Sequence, residues 1–245
     1  MLGQISIAVP SKGRFDCVST NVKNQILVVD KSETDLYKEF NPNFEILECP
    51  NFNNLALKRN WILDKFKNVF MLDDDIVSVH KLYDSEEDVF LNSEESNNII
   101  QFAYQKALDL GIYLFGFNNS PQLVHFNAMK PFMFKGFING CAMGVISNEK
   151  LKFTEKTIAV EDYYINLLNA YHFRINLIDK RFCFKQKDKK TFLEKGGQST
   201  NRTLETEKQD SLFLRKTFGE SIILKKERNK VEKSHQYQRQ LNIKI

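Results

Sequence analysis

A mostly parallel α/β sheet flanked by helices, with a helical appendage at its C-terminal side, is the fold that the sequence predicts. Three observations predict it. Strand-length apolar runs alternate with helix-length segments in the first third of the chain, each run closes in polar residues, and one of them, VFMLDDDI at residues 69–76, closes in three consecutive carboxylates. Strands covered on both faces read as unbroken apolar runs, and ligands collect at their carboxyl ends. Strand and helix signals in alternation imply βαβ units. From residue 185 onward the charges alternate, which divides the chain into a core over 1–184 and an extension over 185–245.

The first strand is read at Ile5–Val9 and is closed by Pro10, Ser11, Lys12, Gly13 and Arg14, where proline and glycine enforce a turn. Gln25–Asp30 is the second strand and Glu33–Phe40 a short helix. Phe44–Leu47 is the third strand, followed by a polar loop at Asn51–Asn54. Leu55–Phe66 is an amphipathic helix with Leu55, Ile62 and Phe66 on its inward face, and Val69–Leu72 is the strand with the acidic end. Set on one edge of one sheet, these four strand ends form a single crevice. Asp84–Ser96 reads as a loop and Ser96–Leu110 as a helix whose inward face is Ile99, Phe102, Ala103 and Ala107. Strands are expected at Tyr113–Phe117 and Cys141–Ile146, with a polar loop, Asn118–Lys130, after the first. A helix opens at Val160 with Glu161 and Asp162 in its first turn and runs to Tyr171, ahead of a strand at Phe173–Ile178. The extension holds two helices, Leu204–Phe218, with Leu212, Phe213 and Phe218 as its apolar residues, and the basic Lys225–Arg239.

Composition excludes several classes. A chain of 245 residues with 42% apolar and 27% charged residues is that of a soluble globular protein with a sizeable core. No stretch approaches the roughly 20 apolar residues of a membrane span, and the first residues lack the charged segment and cleavage site of a signal peptide, so a cytoplasmic location is expected. Cys17, Cys49, Cys141 and Cys183 form no C-x-x-C pair and read as reduced thiols. The 21 phenylalanines read as core, and a net charge of +4 does not by itself name a nucleic-acid partner.

Adjacent like charges are costly unless something compensates them, and Mg²⁺ or Mn²⁺ is held by carboxylates while bridging substrate phosphates. Asp73, Asp74 and Asp75 at a buried strand end therefore point to a metal-diphosphate site rather than a solvated acidic turn. Glu161 and Asp162 are open to two readings, simple capping of a helix start or catalytic acids. Lys58 and Arg59 read equally as a solvated helix face or as phosphate ligands. In the segment from Gly196 to Arg202, Gly196 and Gly197 allow a nest of backbone N–H groups, Ser199 and Thr200 add hydroxyl donors, and Arg202 can grip phosphate oxygens; the bland alternative is an unstructured loop. His80 and His172 read as structural. The stretch KKERNKVEKSHQYQRQ is either a footprint for a phosphate backbone or a solvated helix.

Taken in order, ISIAVPSKGR, QILVVDKSETD, ALKRNWIL, VFMLDDDI and VEDYYINLLNAYHFRINLID resemble the GT-A nucleotide-sugar glycosyltransferases over residues 5–180. The short first crossover, the PSKGR opening, the triple Asp and GGQSTNR at 196–202 most resemble the TET-associated glycosyltransferases of phages, a family linked to glycosylation of hydroxymethylated pyrimidines in DNA. The resemblance implies a nucleoside diphosphate sugar donor, a divalent metal (Mn²⁺ or Mg²⁺) and a DNA acceptor. It implies that Asp73 and Asp75 hold the metal, with Asp73 also near the ribose, while Asp74 either contacts the sugar or is merely solvated. Pro10, Ser11 and Arg14 would form the first-strand loop, Asp30 would recognise the base, and Arg59 with Asn60 would flank ribose or phosphate. Asp162 matches the general base of inverting members, with Glu161 beside it. Asp30-Lys31-Ser32 departs from the usual D-G-S. A non-catalytic nucleic-acid-binding module, a nucleotidyltransferase and a transferase acting on polysaccharide are the alternatives.

Overall fold

Apolar strands whose side chains alternate between two faces need a layer of helices over each. The computed structural model shows that arrangement over the residues it describes, 3–20, 22–84, 89–187, 197, 202–224 and 239–242. β1 (Ser6–Ser11), β2 (Gln25–Asp30), β3 (Glu45–Cys49) and β4 (Val69–Leu72) run parallel in the order β3-β2-β1-β4. β5 (Ile76–Lys81) leaves the sheet. β6 (Leu114–Phe117), β7 (Phe132–Met133), β8 (Ala142–Val145) and β9 (Leu177–Asp179) complete an eight-stranded sheet that continues β4-β8-β6-β9-β7. β8 is antiparallel to both its neighbours, and β9 is parallel to β6. β10 (Phe182–Gln186) pairs antiparallel with β5, and β11 (Ile222–Leu224) with β12 (Arg239–Leu241).

The helices are α1 (Thr34–Phe40), α2 (Leu55–Phe66), α3 (Ser93–Asp109), α4 (Glu161–Phe173) and α5 (Leu204–Phe218). Along β4, Phe70 and Leu72 point to the face covered by Tyr37 of α1 and Ile100 and Ala103 of α3. Val69 and Met71 point to the opposite face, against Ile62 and Leu63 of α2 and Ile165 of α4. A third apolar cluster joins Leu214 of α5 and Ile222 of β11 to Val160 and Leu167, so the C-terminal segment docks on α4.

Packing within the sheet is tight where β8 crosses β6. A methyl group on Gly144 would lie 2.1 Å from the Phe115 ring. Gly144→Ala is expected to cost about 3 kcal/mol, because the ring sits in a filled layer and has no free volume to enter. Chemical denaturation of the variant beside the parent checks this.

Several expectations are corrected. The buried face of α2 is Ala56, Lys58, Arg59, Ile62 and Leu63, while Leu55 and Phe66 are only half-buried, because the two cations are drawn inward by acids at the strand ends. α3 starts three residues earlier than expected. Asn92 Oδ1 accepts from the backbone N–H groups of Glu94 and Glu95, and Glu95 Oε2 accepts from that of Asn92, a reciprocal cap. Its buried apolar residues are Ile100, Ala103, Tyr104 and Ala107, with Phe102 largely exposed. α5 has the expected bounds, yet it buries Glu207, Asp210 and Ser211 beside Leu214, and Leu212 is exposed. The appendage is not wholly helical: Arg239, expected to close the last helix, lies in β12, and the rest of that helix falls outside the described residues. The expected boundary at 184/185 falls inside β10. The four cysteines carry no disulfide. Among the described residues no helix is long and apolar enough to cross a membrane.

Candidate active site

Where a parallel sheet sends one crossover to one side and the next to the other, the loops part and leave a crevice at the strand ends. Here that point lies between β1 and β4, with β2 and β3 to one side and β8 to the other. The turn after β1 and the acids after β4 meet there. Arg14 Nη1 lies 2.9 Å from Asp74 Oδ1 and 3.5 Å from Asp75 Oδ2. Ser11 Oγ donates to Asp74 Oδ2 and lies 2.6 Å from the Tyr37 hydroxyl. Asp74 and Asp75 are both buried by these contacts. Asp73 keeps 28% of its side chain exposed, with Oδ1 3.3 Å from Arg59 Nη2. Asp73 Oδ2 and Asp75 Oδ1 both accept from Gln186 Nε2, at 2.9 and 3.0 Å.

Arg59 links the acids to the opposite wall. It is 1% exposed, donates to the Gly140 carbonyl at 3.0 Å, and lies 3.7 Å from Glu161 Oε1 at the start of α4. Asp162 beside it accepts from the Tyr163 backbone N–H at 2.8 Å and from that of Gly140 at 3.4 Å. A methyl on Gly140 would meet Asp162 Cβ at 3.0 Å and Arg59 Nη1 at 3.1 Å, so a residue without a side chain lets the loop pass between them. The acids of this first turn thus do more than cap, since Glu161 is buried against a guanidinium.

Electrostatics separate the carboxylates. Burial, with the charges of Asp75, Asp74 and Glu161, pushes Asp73 up to about 8 against the pull of Arg59. Burial, with Glu161 next, pushes Asp162 up to about 6 against Arg239 and Arg59. Burial pushes Asp30 upward too, but hydrogen bonds from Lys12 and Lys58 outweigh it and hold that carboxyl below the ordinary range.

The remaining sequence-predicted residues fall into three groups. Pro10 and Ser11 end β1, and Pro10 is buried opposite Val28. Asp30 is fully buried, with Lys12 Nζ at 2.8 Å, Lys58 Nζ at 2.7 Å and the Phe52 N–H at 3.3 Å, so it orders cations and presents no open edge. Lys58 and Arg59 are not a solvated helix face; both are buried counter-charges to the strand-end acids. Asn60 turns away from the crevice, its amide bonded both ways to the Phe153 backbone at 2.8 Å. Gly197 has φ +61°, donates its N–H to the Lys12 carbonyl at 2.9 Å, and lies beside the Arg14 guanidinium, where a methyl would come within 3.1 Å. Arg202 is held by Glu207. Gly196, Ser199 and Thr200 lie outside the described residues.

Four residues were missed. Lys12 stood in the PSKGR turn, where a cation beside Asp30 was a readable signal. Gly140, Gln186 and Arg239 carried none; Arg239 reaches α4 from β12, 3.5 Å from Glu207 and 4.7 Å over the Tyr163 ring. His80 sits off the site, 3.0 Å from Ser78 Oγ.

Among the described residues no group of three or more His, Cys, Asp or Glu surrounds one point. Two carboxylate oxygens do, those of Asp73 and Asp75 that face the Gln186 amide. Hard divalent ions are commonly held by one or two protein carboxylates, the rest of the shell being water and substrate phosphate. The pair fits such an ion. Beside Gln186 opens a pocket of about 100 Å³ with Asn118, Asn119 and Asn139 on its walls next to Phe117 and Phe184.

A family model described as TET-Associated Glycosyltransferase matches residues 5–197. Among curated proteins nothing matches significantly. Of solved structures, S. aureus TarS is similar at 11% identity and a TM-score of 0.46, over 89% of this chain and 44% of that one. A197 from STIV is similar at 11% identity and 0.40, over 76% and 87%. A cytidylyltransferase from Leptospira borgpetersenii serovar Hardjo-bovis is similar at 10% and 0.32, over 59% and 60%.

Proposed function

From the premise that the chain belongs to the TET-associated glycosyltransferase family, we propose that it moves a sugar from a nucleoside diphosphate sugar to the hydroxyl of a hydroxymethylated pyrimidine in DNA, with a divalent metal as cofactor. The observation that carries this reading is the pairing across one crevice of Asp73 and Asp75, converging at the end of β4, with Asp162 at the head of α4.

Asp73 and Asp75 are the residues that would hold Mn²⁺ or Mg²⁺, and a bound divalent ion supplies neutralisation of the departing diphosphate. Arg14 and Arg59 keep these acids in place. Arg14 Nε and two of the three Arg59 nitrogens are buried without hydrogen-bond partners among the described residues, cationic donors beside the place where phosphate charge would lie. Asp162, raised to about 6, is ionised at neutral pH yet basic enough to take the acceptor proton. The pocket beside Gln186 is lined by both amides and aromatic rings, which suits a planar base with exocyclic polar groups. A base stacked in a duplex cannot reach a strand-end crevice, so the acceptor is a single strand or a flipped nucleotide.

The test has two stages. A panel of nucleotide sugars with Mn²⁺, read by released diphosphate, identifies the donor. That donor is then offered with a hydroxymethylated oligonucleotide at rising salt. Transfer to the oligonucleotide is expected, with log affinity falling by about one unit per log unit of salt for each phosphate neutralised. Transfer only to a small sugar or polysaccharide acceptor would remove the DNA acceptor and leave the transferase.

A further inference from the structure

We propose that Gln186 is the third protein ligand of the divalent metal, presenting its carbonyl oxygen to an ion held between Asp73 and Asp75. The inference rests on the metal-dependent reading above. It starts from geometry: one amide nitrogen lies 2.9 Å from Asp73 Oδ2 and 3.0 Å from Asp75 Oδ1, so the point on which two carboxylates converge is occupied by the head of a single side chain. A primary amide carries a donor and an acceptor on opposite arms, and rotation about the last side-chain bond exchanges them without moving the backbone. With no cation the NH₂ arm donates to both acids. With a cation there, the same side chain turns its oxygen inward, and carbonyl oxygen is a ligand suited to hard divalent ions.

The backbone independently aims this residue. β10 pairs with β5 in regular antiparallel register from Phe182 opposite Lys81 to Lys185 opposite Ser78, and then the register slips so that Gln186 stands opposite Ile76. Val77 is left as the extra residue. Such bulges bend a strand and redirect a side chain near active sites. Without the slip Gln186 would face Val77; with it, Gln186 stands next to Asp75, and the Lys187 N–H bonds to the Asp75 carbonyl at 2.8 Å, fixing the end of β10 against the acid cluster. A neutral third ligand also leaves the site's charge at that of its two carboxylates, so the diphosphate is not repelled by a further anion.

The experiment measures binding of Mn²⁺ alone by electron paramagnetic resonance of the free ion, on the parent protein, Gln186→Ala and Asp75→Asn. In parallel, the Gln186 carboxamide resonance, assigned by its loss in Gln186→Ala, is followed on titration with Mg²⁺. The expected result is a loss of Mn²⁺ affinity of at least about tenfold in Gln186→Ala, together with a saturable shift of the carboxamide signal in the parent. If Asp75→Asn loses Mn²⁺ while Gln186→Ala binds as the parent does, or the carboxamide signal stays still, Gln186 is not a ligand and the metal reading stands. If neither substitution changes Mn²⁺ binding, the metal reading fails and takes the inference with it. Because thermal melts without metal are run on each variant, weaker binding through unfolding is recognised directly, and Gln186→Asn, which keeps the amide on a shorter stem, is expected to recover part of the affinity.

Discussion

Asp162→Asn lowers sugar transfer by about 10² to 10⁴ and leaves donor binding nearly unchanged: this is the expected result for loss of a general base whose replacement has the same shape. Asparagine retains the Cβ that packs on Gly140 and an oxygen to accept from the Tyr163 N–H, so the head of α4 stays in place. In the parent, burial beside Glu161 puts the Asp162 pKa near 6, so the rate rises as pH passes through about 6 and levels above it. The variant should lack that limb. A variant that transfers at the parent's rate across the whole profile would move the base elsewhere, with Glu161 next in line. Stability carries the opposite sign. Both Asp73 and Asp162 have folded pKa values above the ordinary 3.8, so the stability linked to their protonation is complete below about 4 and is lost as pH rises through about 6 and about 8. Melting curves without metal should therefore fall over the range in which activity rises.

Asp75→Asn is expected to abolish the metal-dependent part of nucleotide binding while the protein stays folded. Calorimetry with a nucleoside diphosphate, with and without Mn²⁺, reads it. The substituted amide keeps the volume of the carboxylate, and Arg14 keeps its shorter contact, 2.9 Å to Asp74, so the turn after β1 has no reason to move. What is lost is one of the two carboxylate charges that converge at the end of β4, and a neutral amide oxygen in its place attracts a divalent cation far less than the charge it replaces. An Mn²⁺ increment equal to the parent's would show that the metal, if one binds, is held by other groups.

The parts of this fold legible in the sequence are those decided locally. Gln25–Asp30, Leu55–Phe66, Val69–Leu72 and Leu204–Phe218 have the bounds that their apolar runs and caps announce, since a buried strand or capped helix writes its own limits. The triple Asp was legible for the same reason. Short strands that pair across long separations were not: β5 and β10 carry Ser78, His80, Lys185 and Gln186, polar residues that break the apolar run by which a buried strand is read. Helix faces were misjudged wherever charge is buried by charge. Lys58 and Arg59 look solvent-facing by any apolar period, and only the acids of distant strand ends pull them inside. The bonds from Asn60 to the Phe153 backbone leave no trace in sequence. Gln186 is invisible for the related reason that its neighbours in space lie more than a hundred residues away.

Arg59 touches Asp73 on one wall of the crevice and Glu161 on the other. A single charge shared between two acids makes the walls thermodynamically reciprocal. Whatever draws the guanidinium toward Asp73 withdraws screening from Glu161 and so raises the proton affinity of Asp162 next to it; whatever neutralises Asp73 by other means returns Arg59 to Glu161 and lowers that affinity. Linkage requires the converse, that protonation of Asp162 alters the affinity of Asp73 for any cation that competes with Arg59 by the same factor. Protonation at one wall and cation binding at the other are then two views of one coupling, set by the position of one buried side chain.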